Sequence, residues 1–139
     1  MKKAFALILL LCVILLAGCS DMKKYTFLSS TDEIISIEII EITTSEAQNK
    51  TSPQYKTLKE IEDIGAFISD FYNIPFNTYM FGELTTVGFG TAVRIEYKDG
   101  SLEYIKHDAQ LRITSSGTFY GSRNCNKGEF DDLLAKYLQ

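Results

Sequence analysis

The sequence predicts an α+β fold: two layers, with a mostly antiparallel sheet carrying two helices on one face in the order β-α-β-β-β-β-α. Three observations predict it. Ile34 to Thr43 is rich in β-branched residues, and two other segments repeat apolar residues at helical spacing. Asp99-Gly100, a turn dipeptide, separates two runs of strand-forming residues.

Taken in order, Tyr25 to Leu28 is expected as a short leading strand, followed by the long strand Ile34 to Thr43. Ile35, Ile37 and Ile39 share one face of that strand, while Ile40 and Ile42 fall on the other. Either both faces are covered or a bulge shifts the register near Ile39. Thr44 to Tyr55 is polar, contains Pro53 and reads as a loop. Thr57-Leu58-Lys59-Glu60 has the capping-box pattern, a threonine at the cap and a glutamate three residues on. Leu58, Ile61, Ile64, Ile68 and Phe71 then form one apolar stripe, and Pro75 stops the helix. Thr78 to Glu83 is a further strand candidate, and Gly82, Gly88 and Gly90 punctuate the chain from there to the next strand.

A two-residue turn at Asp99-Gly100 would set Tyr97 opposite Leu102, Ile95 opposite Tyr104 and Val93 opposite Lys106. Arg94, Glu96, Glu103 and Ile105 would occupy the other face, with Glu96 opposite Glu103 as a mildly unfavourable pair. A slip of one residue would oppose Ile95 to Glu103 and sacrifice apolar burial, so the first register is expected. Leu111 to Thr114 and Thr118 to Tyr120 form a second hairpin across Ser115-Ser116-Gly117. Asn126 caps a last helix, with Glu129 three positions on and Phe130, Leu133, Leu134, Tyr137 and Leu138 as its stripe.

The amino terminus carries an address. Ala4 to Gly18 is uncharged and follows Lys2-Lys3. A membrane-spanning helix needs roughly 20 apolar residues, so this run suits the middle of a signal peptide better than a permanent anchor. Leu16-Ala17-Gly18-Cys19, which closes it, resembles the lipobox of bacterial lipoproteins. That resemblance covers residues 1–19. It implies a diacylglyceryl thioether on the Cys19 sulfur and cleavage between Gly18 and Cys19. The chain then divides into a signal peptide over 1–18, a lipidated tether over 19–24 and one α+β domain over 25–139. Acylation would hold the protein at the cell membrane on its extracytoplasmic side, each buried methylene contributing about 0.8 kcal/mol. The segment Ser20 to Lys24 reaches at most about 17 Å, which keeps the domain near the headgroups. The whole is similar to small uncharacterised Firmicute lipoproteins, in which a lipobox precedes a domain of this size. The element order resembles a half-repeat of the TATA-box-binding-protein fold in topology alone, and fold does not carry function.

Composition narrows the function classes. Without residues 1–18 there remain 121 residues, enough for one modest core, with 12 basic and 18 acidic side chains and a formal charge of −6. An acidic surface with no basic run argues against a nucleic-acid partner. Of the three cysteines, Cys12 leaves with the signal and Cys19 is lipidated, so Cys125 stands alone.

Catalytic chemistry has few carriers here. His107 is the single histidine, so no metal site is expected, and the sequence names no cofactor. An envelope enzyme would need His107, beside Asp108, to activate Cys125, whose place before a helix N-terminus would lower its pKa somewhat. Glu60, Glu62, Asp63 and Asp70 lie on the polar side of the first helix, and Asp131-Asp132 suit the first turn of the last helix. Gly88-Phe89-Gly90 lacks the lysine and spacing of a phosphate loop. A candidate binding surface is the aromatic group Phe76, Tyr79, Phe81 and Phe89, with Phe119 and Tyr120 later, although alternate rings of such a group commonly fill a sheet core. The expected function is therefore a noncatalytic, membrane-anchored binding module for an envelope protein or small ligand. The alternatives are the Cys125–His107 enzyme and a structural or immunity-type lipoprotein.

Overall fold

The computed structural model describes residues 22–44, 52–77 and 87–139. Ten elements succeed one another: β1 (Met22–Lys23), β2 (Ile34–Ile42), β3 (Tyr55–Glu60), α1 (Ile64–Phe71), β4 (Phe76–Asn77), β5 (Gly90–Tyr97), β6 (Leu102–Ile105), β7 (Gln110–Thr114), β8 (Gly117–Gly121) and α2 (Lys127–Tyr137). A 3-10 turn over Thr31–Glu33 leads into β2. The six longer strands form one antiparallel sheet in the order β3-β2-β5-β6-β7-β8, and β1 pairs antiparallel with β4. The class is α+β, as the sequence predicts.

Both faces of the sheet are packed. On one, Ile37, Ile39, Val93, Ile95 and Ile105 meet Phe67, Ile68 and Phe71 of α1 and Phe130, Leu133 and Leu134 of α2. The two helices touch one another, with Phe71 and Phe130 edge to face and Lys136 and Tyr137 both donating to Asp70. On the opposite face Ile40, Ile42, Ala92, Tyr104 and Leu111 form a second cluster with Val87 and Ala109. The run of isoleucines in β2 is thus explained by two-sided burial. Ile35 is the exception: a bulge between Ile34 and Ser36 leaves it 52% exposed, and Ile34 takes its place in the core.

Three expectations are corrected. Tyr55 to Glu60 is neither loop nor helix but strand β3, because the outer backbone groups of β2 need a partner that local pattern does not reveal. Thr57 therefore caps nothing. Asp63 does instead, its carboxylate accepting from the Ala66 amide at 2.9 Å, and the helix begins at Ile64. Leu58 falls at a bulge between the pairs Ile39–Lys59 and Ile40–Thr57, off the apolar stripe, and Phe67 supplies the buried ring that stripe omitted. Exposed Lys56, Lys59 and Glu60 suit β3 to the sheet edge.

The second correction is the register of the β5–β6 hairpin. Tyr97 pairs with Ser101 through a 3.0 Å bond, so the loop is Lys98-Asp99-Gly100 rather than two residues. Gly100 takes φ +80°, as the closing residue of such a three-residue loop requires. Every partner then moves by one: Ile95 opposes Glu103 and Val93 opposes Ile105. Third, Tyr25 to Leu28 belongs to no strand, and strand pairing starts earlier, at Met22–Lys23, inside the expected tether.

Smaller differences concern turns and caps. Gly117 already pairs with Thr114, so the last hairpin loop is one residue shorter than expected. Leu138 is the exposed C-cap of α2, and Glu60 and Glu62 lie outside α1, with Asp63 as its cap. The β7–β8 hairpin turns through Ser115-Ser116, and the Asn126 side chain accepts from the Glu129 amide at 3.1 Å. The strand candidate Thr78 to Glu83 lies outside the described residues.

Candidate functional site

The shifted register delivers a carboxylate into the core. Glu103 is 0% exposed, on the helix-bearing face between Ile95 and Arg112. Its Oε1 accepts from the Tyr25 hydroxyl at 2.7 Å and from Arg112 Nε at 2.8 Å. Its Oε2 accepts from the Tyr97 hydroxyl at 2.6 Å and from the Leu28 amide at 2.9 Å. A buried charge persists only when paired and hydrogen-bonded, and both oxygens here are doubly engaged. Burial, then the neighbouring Glu103 charge, pushes the Tyr25 and Tyr97 hydroxyls well above the ordinary tyrosine range. Arg112 completes the connection, its Nη2 donating to the Thr26 carbonyl at 2.6 Å. Residues 25–28 are thereby strapped across the sheet.

Beside that strap lies a pocket of about 130 Å³ lined by Tyr25, Gln110, Arg112, Arg123 and the β8 residues Phe119, Tyr120 and Gly121. Gln110 is buried and clamps the chain leaving β8: its Nε2 donates to the Arg123 carbonyl at 2.7 Å, and its Oε1 accepts from the Arg123 amide at 2.8 Å. The Arg123 guanidinium stands 5.8 Å from the Tyr25 ring centroid. Phe119, opposite Arg112 on β8, is 53% exposed at the rim. Two arginines and three aromatic residues therefore line one small space, with Glu103 balancing one of the two positive charges.

A second polar group sits on the other face of the sheet. Arg94 bonds Glu38 at 2.6 Å and Glu96 at 3.0 Å, beneath the Tyr55 ring. The glutamate expected to face Glu103 thus has a cation of its own.

Of the candidate aromatic surface, the described residues do not share one environment. Phe76 is 1% exposed and packs on Phe71 and Tyr25, so it is core rather than surface. Phe89 is 63% exposed, Tyr120 packs against the opposite-face cluster, and Tyr79 and Phe81 lie outside the described residues. Of the aromatics singled out from sequence, Phe119 and Tyr120 reach the pocket.

Cys125 and His107 are brought together, but through the main chain: the Cys125 amide donates to the His107 carbonyl at 2.8 Å. Burial, with Glu129 and Asp108 nearby, pushes the Cys125 thiol up to about 12. Proximity to the helix N-terminus does not lower it, contrary to expectation, because desolvation and like charge outweigh the helix dipole. A nucleophile needs its thiolate, and this thiol is held protonated. His107 Nδ1 lies 3.8 Å from Asp108 Oδ1. Among the described residues no group of three or more His, Cys, Asp or Glu side chains is placed to hold a metal ion.

Glu103, Arg112, Arg123 and Tyr25 escaped sequence reasoning as a group. The usable signal was Arg112, a lone cation between Leu111 and Ile113 in a chain with three arginines, which demands an acid across the strand pair. Gly18 and Cys19 lie outside the described residues, and among those described no helix is long and apolar enough to cross a membrane. Compared with family models, curated proteins and solved structures, the chain matches none.

Proposed function

We propose that this protein is a lipid-anchored, noncatalytic binding module held at the extracytoplasmic face of a bacterial cell membrane through a diacylglyceryl group on Cys19. The observation that carries the reading is Leu16-Ala17-Gly18-Cys19 at the end of an uncharged run behind Lys2-Lys3. The architecture is consistent with it. Among the described residues the first paired one is Met22, three residues after Cys19, so the anchor would lie within about 10 Å of paired chain. The binding half of the reading is supported by the arginine-lined pocket and by the protonated state of Cys125.

Mass spectrometry of the amino-terminal peptide from membrane-purified protein tests the anchor. The expected peptide starts at Cys19 and carries two acyl chains, with a third where the amine is acylated. Metabolic labelling with an alkynyl palmitate should mark the native protein and not Cys19→Ser. A free thiol at position 19, or a chain still beginning at Met1, overturns the reading.

A further inference from the structure

We propose that the pocket between β7, β8 and the 25–28 strap is an oxyanion site that takes the phosphate of a lipid headgroup. The choice of the membrane as source rests on the lipid-anchor reading above; the oxyanion chemistry does not. Arg112 is fixed in plane by Glu103 Oε1 on Nε and by the Thr26 carbonyl on Nη2, with the Tyr25 hydroxyl as a further neighbour, which still leaves part of its five N–H donors for another acceptor. Arg123 makes no ion pair or side-chain hydrogen bond among the described residues, while Gln110 immobilises its backbone from both sides. A guanidinium that is positioned but unsatisfied is a ready donor pair for a phosphate. With Glu103 cancelling one charge, the pocket carries one net positive charge, which a phosphate oxygen anion would face. Gly121 at the wall has no side chain to occupy the space.

Position favours the membrane as the source. Tyr25 lines the pocket and lies six residues after Cys19, so the two are separated by at most about 20 Å of chain. Backbone pairing ties the pocket to the first described residues. Met22 pairs with Asn77, the Asn77 amide donates to the Asn124 carbonyl at 2.9 Å, and Asn124 adjoins Arg123. Phe119 at the pocket rim and Met22 are exposed, and Lys23 and Lys24 are exposed beside Met22. Cations with apolar groups among them are what an anionic headgroup layer accepts.

The test uses the mature, full chain in micelles of an uncharged glucoside detergent, read by amide resonances of Gly121, Arg123 and Arg112. In one arm glycerol 1-phosphate is titrated, with glycerol as the neutral control; in the other, phosphatidylglycerol is doped into the micelles. Saturable shifts at these amides are expected in both arms, with glycerol phosphate displacing the lipid, and Arg123→Gln should weaken both by tenfold or more (about 1.4 kcal/mol). Because the Arg123 side chain makes no hydrogen bond among the described residues and gives up only its contact with the Tyr25 ring, that variant should melt within a few degrees of the native protein. Arg123→Lys, keeping charge without the fork, should bind between the two. Shifts with glycerol phosphate alone would retain the oxyanion site and overturn the lipid source. No saturable shift in either arm, or equal affinity for Arg123→Gln, overturns the proposal. The amino-terminal mass reports on the anchor independently of either arm.

Discussion

Glu103→Gln is the sharpest perturbation of this fold, since it alters one atom in a fully buried side chain. The amide nitrogen must replace either Oε1, which accepts from Tyr25 and Arg112, or Oε2, which accepts from Tyr97 and the Leu28 amide. A tyrosine hydroxyl can rotate to accept from the new N–H. Arg112 Nε–H and the Leu28 N–H cannot, so one donor is orphaned whichever way the amide turns. An orphaned buried donor costs about 1–3 kcal/mol, and breaking a buried ion pair from one side costs about 3–5 kcal/mol in total. A loss of about 3–5 kcal/mol is expected, a large share of the roughly 5–15 kcal/mol that holds a small domain together. In thermal unfolding followed by circular dichroism, that is a fall in Tm of about 10–20 °C. Glu103→Leu combined with Arg112→Leu should cost less than the two single losses summed, because neither charge is then stranded. A loss below about 1 kcal/mol for Glu103→Gln, or additive single and double variants, would refute the account of the strap as charge-locked.

The same structure sets other outcomes. Tyr25, Tyr97 and Cys125 hold their protons more tightly folded than unfolded, so the folded state binds more protons above the unfolded pKa values. Stability should therefore be full at neutral pH and decline as pH rises beyond about 9, first through the thiol and then the phenols, seen as a falling urea midpoint. Native Cys125 should react with a disulfide reagent at pH 8 far more slowly than in urea; equal rates would contradict its protonated, half-buried state. Gly100→Ala meets no atom but must adopt φ +80°, so chemical denaturation should show a loss of about 1–2 kcal/mol. Asn126→Ala removes the cap of α2 and should cost about 1 kcal/mol by the same measurement.

The contrast between the two hairpins shows which parts of the fold were legible. Ser115-Ser116-Gly117 marks the place of its turn, which closes one residue shorter than expected, with Gly117 already paired to Thr114. Asp99-Gly100 offered two loop lengths that differ by one residue, and the choice between them decides which face receives Glu103. Apolar matching favours the shorter loop. The longer one wins because Tyr25, Tyr97, Arg112 and the Leu28 amide, drawn from as far as 78 positions away from Glu103, satisfy the carboxylate. Their convergence offsets a burial that would otherwise be prohibitive, and no pattern within the hairpin announces it.

By itself the sequence determined the α+β class, the Asn126-capped last helix, the two hairpins before it and the lipobox-like string that ends at Cys19. These depend on periodicity, on caps three residues long, or on a motif read as a linear string. Tertiary structure alone decided that Tyr55 to Glu60 is a strand, that Glu103 faces inward, and that Arg112 and Arg123 share a pocket with Tyr25. A strand edge needs a partner from elsewhere in the chain, and a buried charge needs ligands from several elements. Such long-range pairing is settled when the chain closes on itself, not residue by residue.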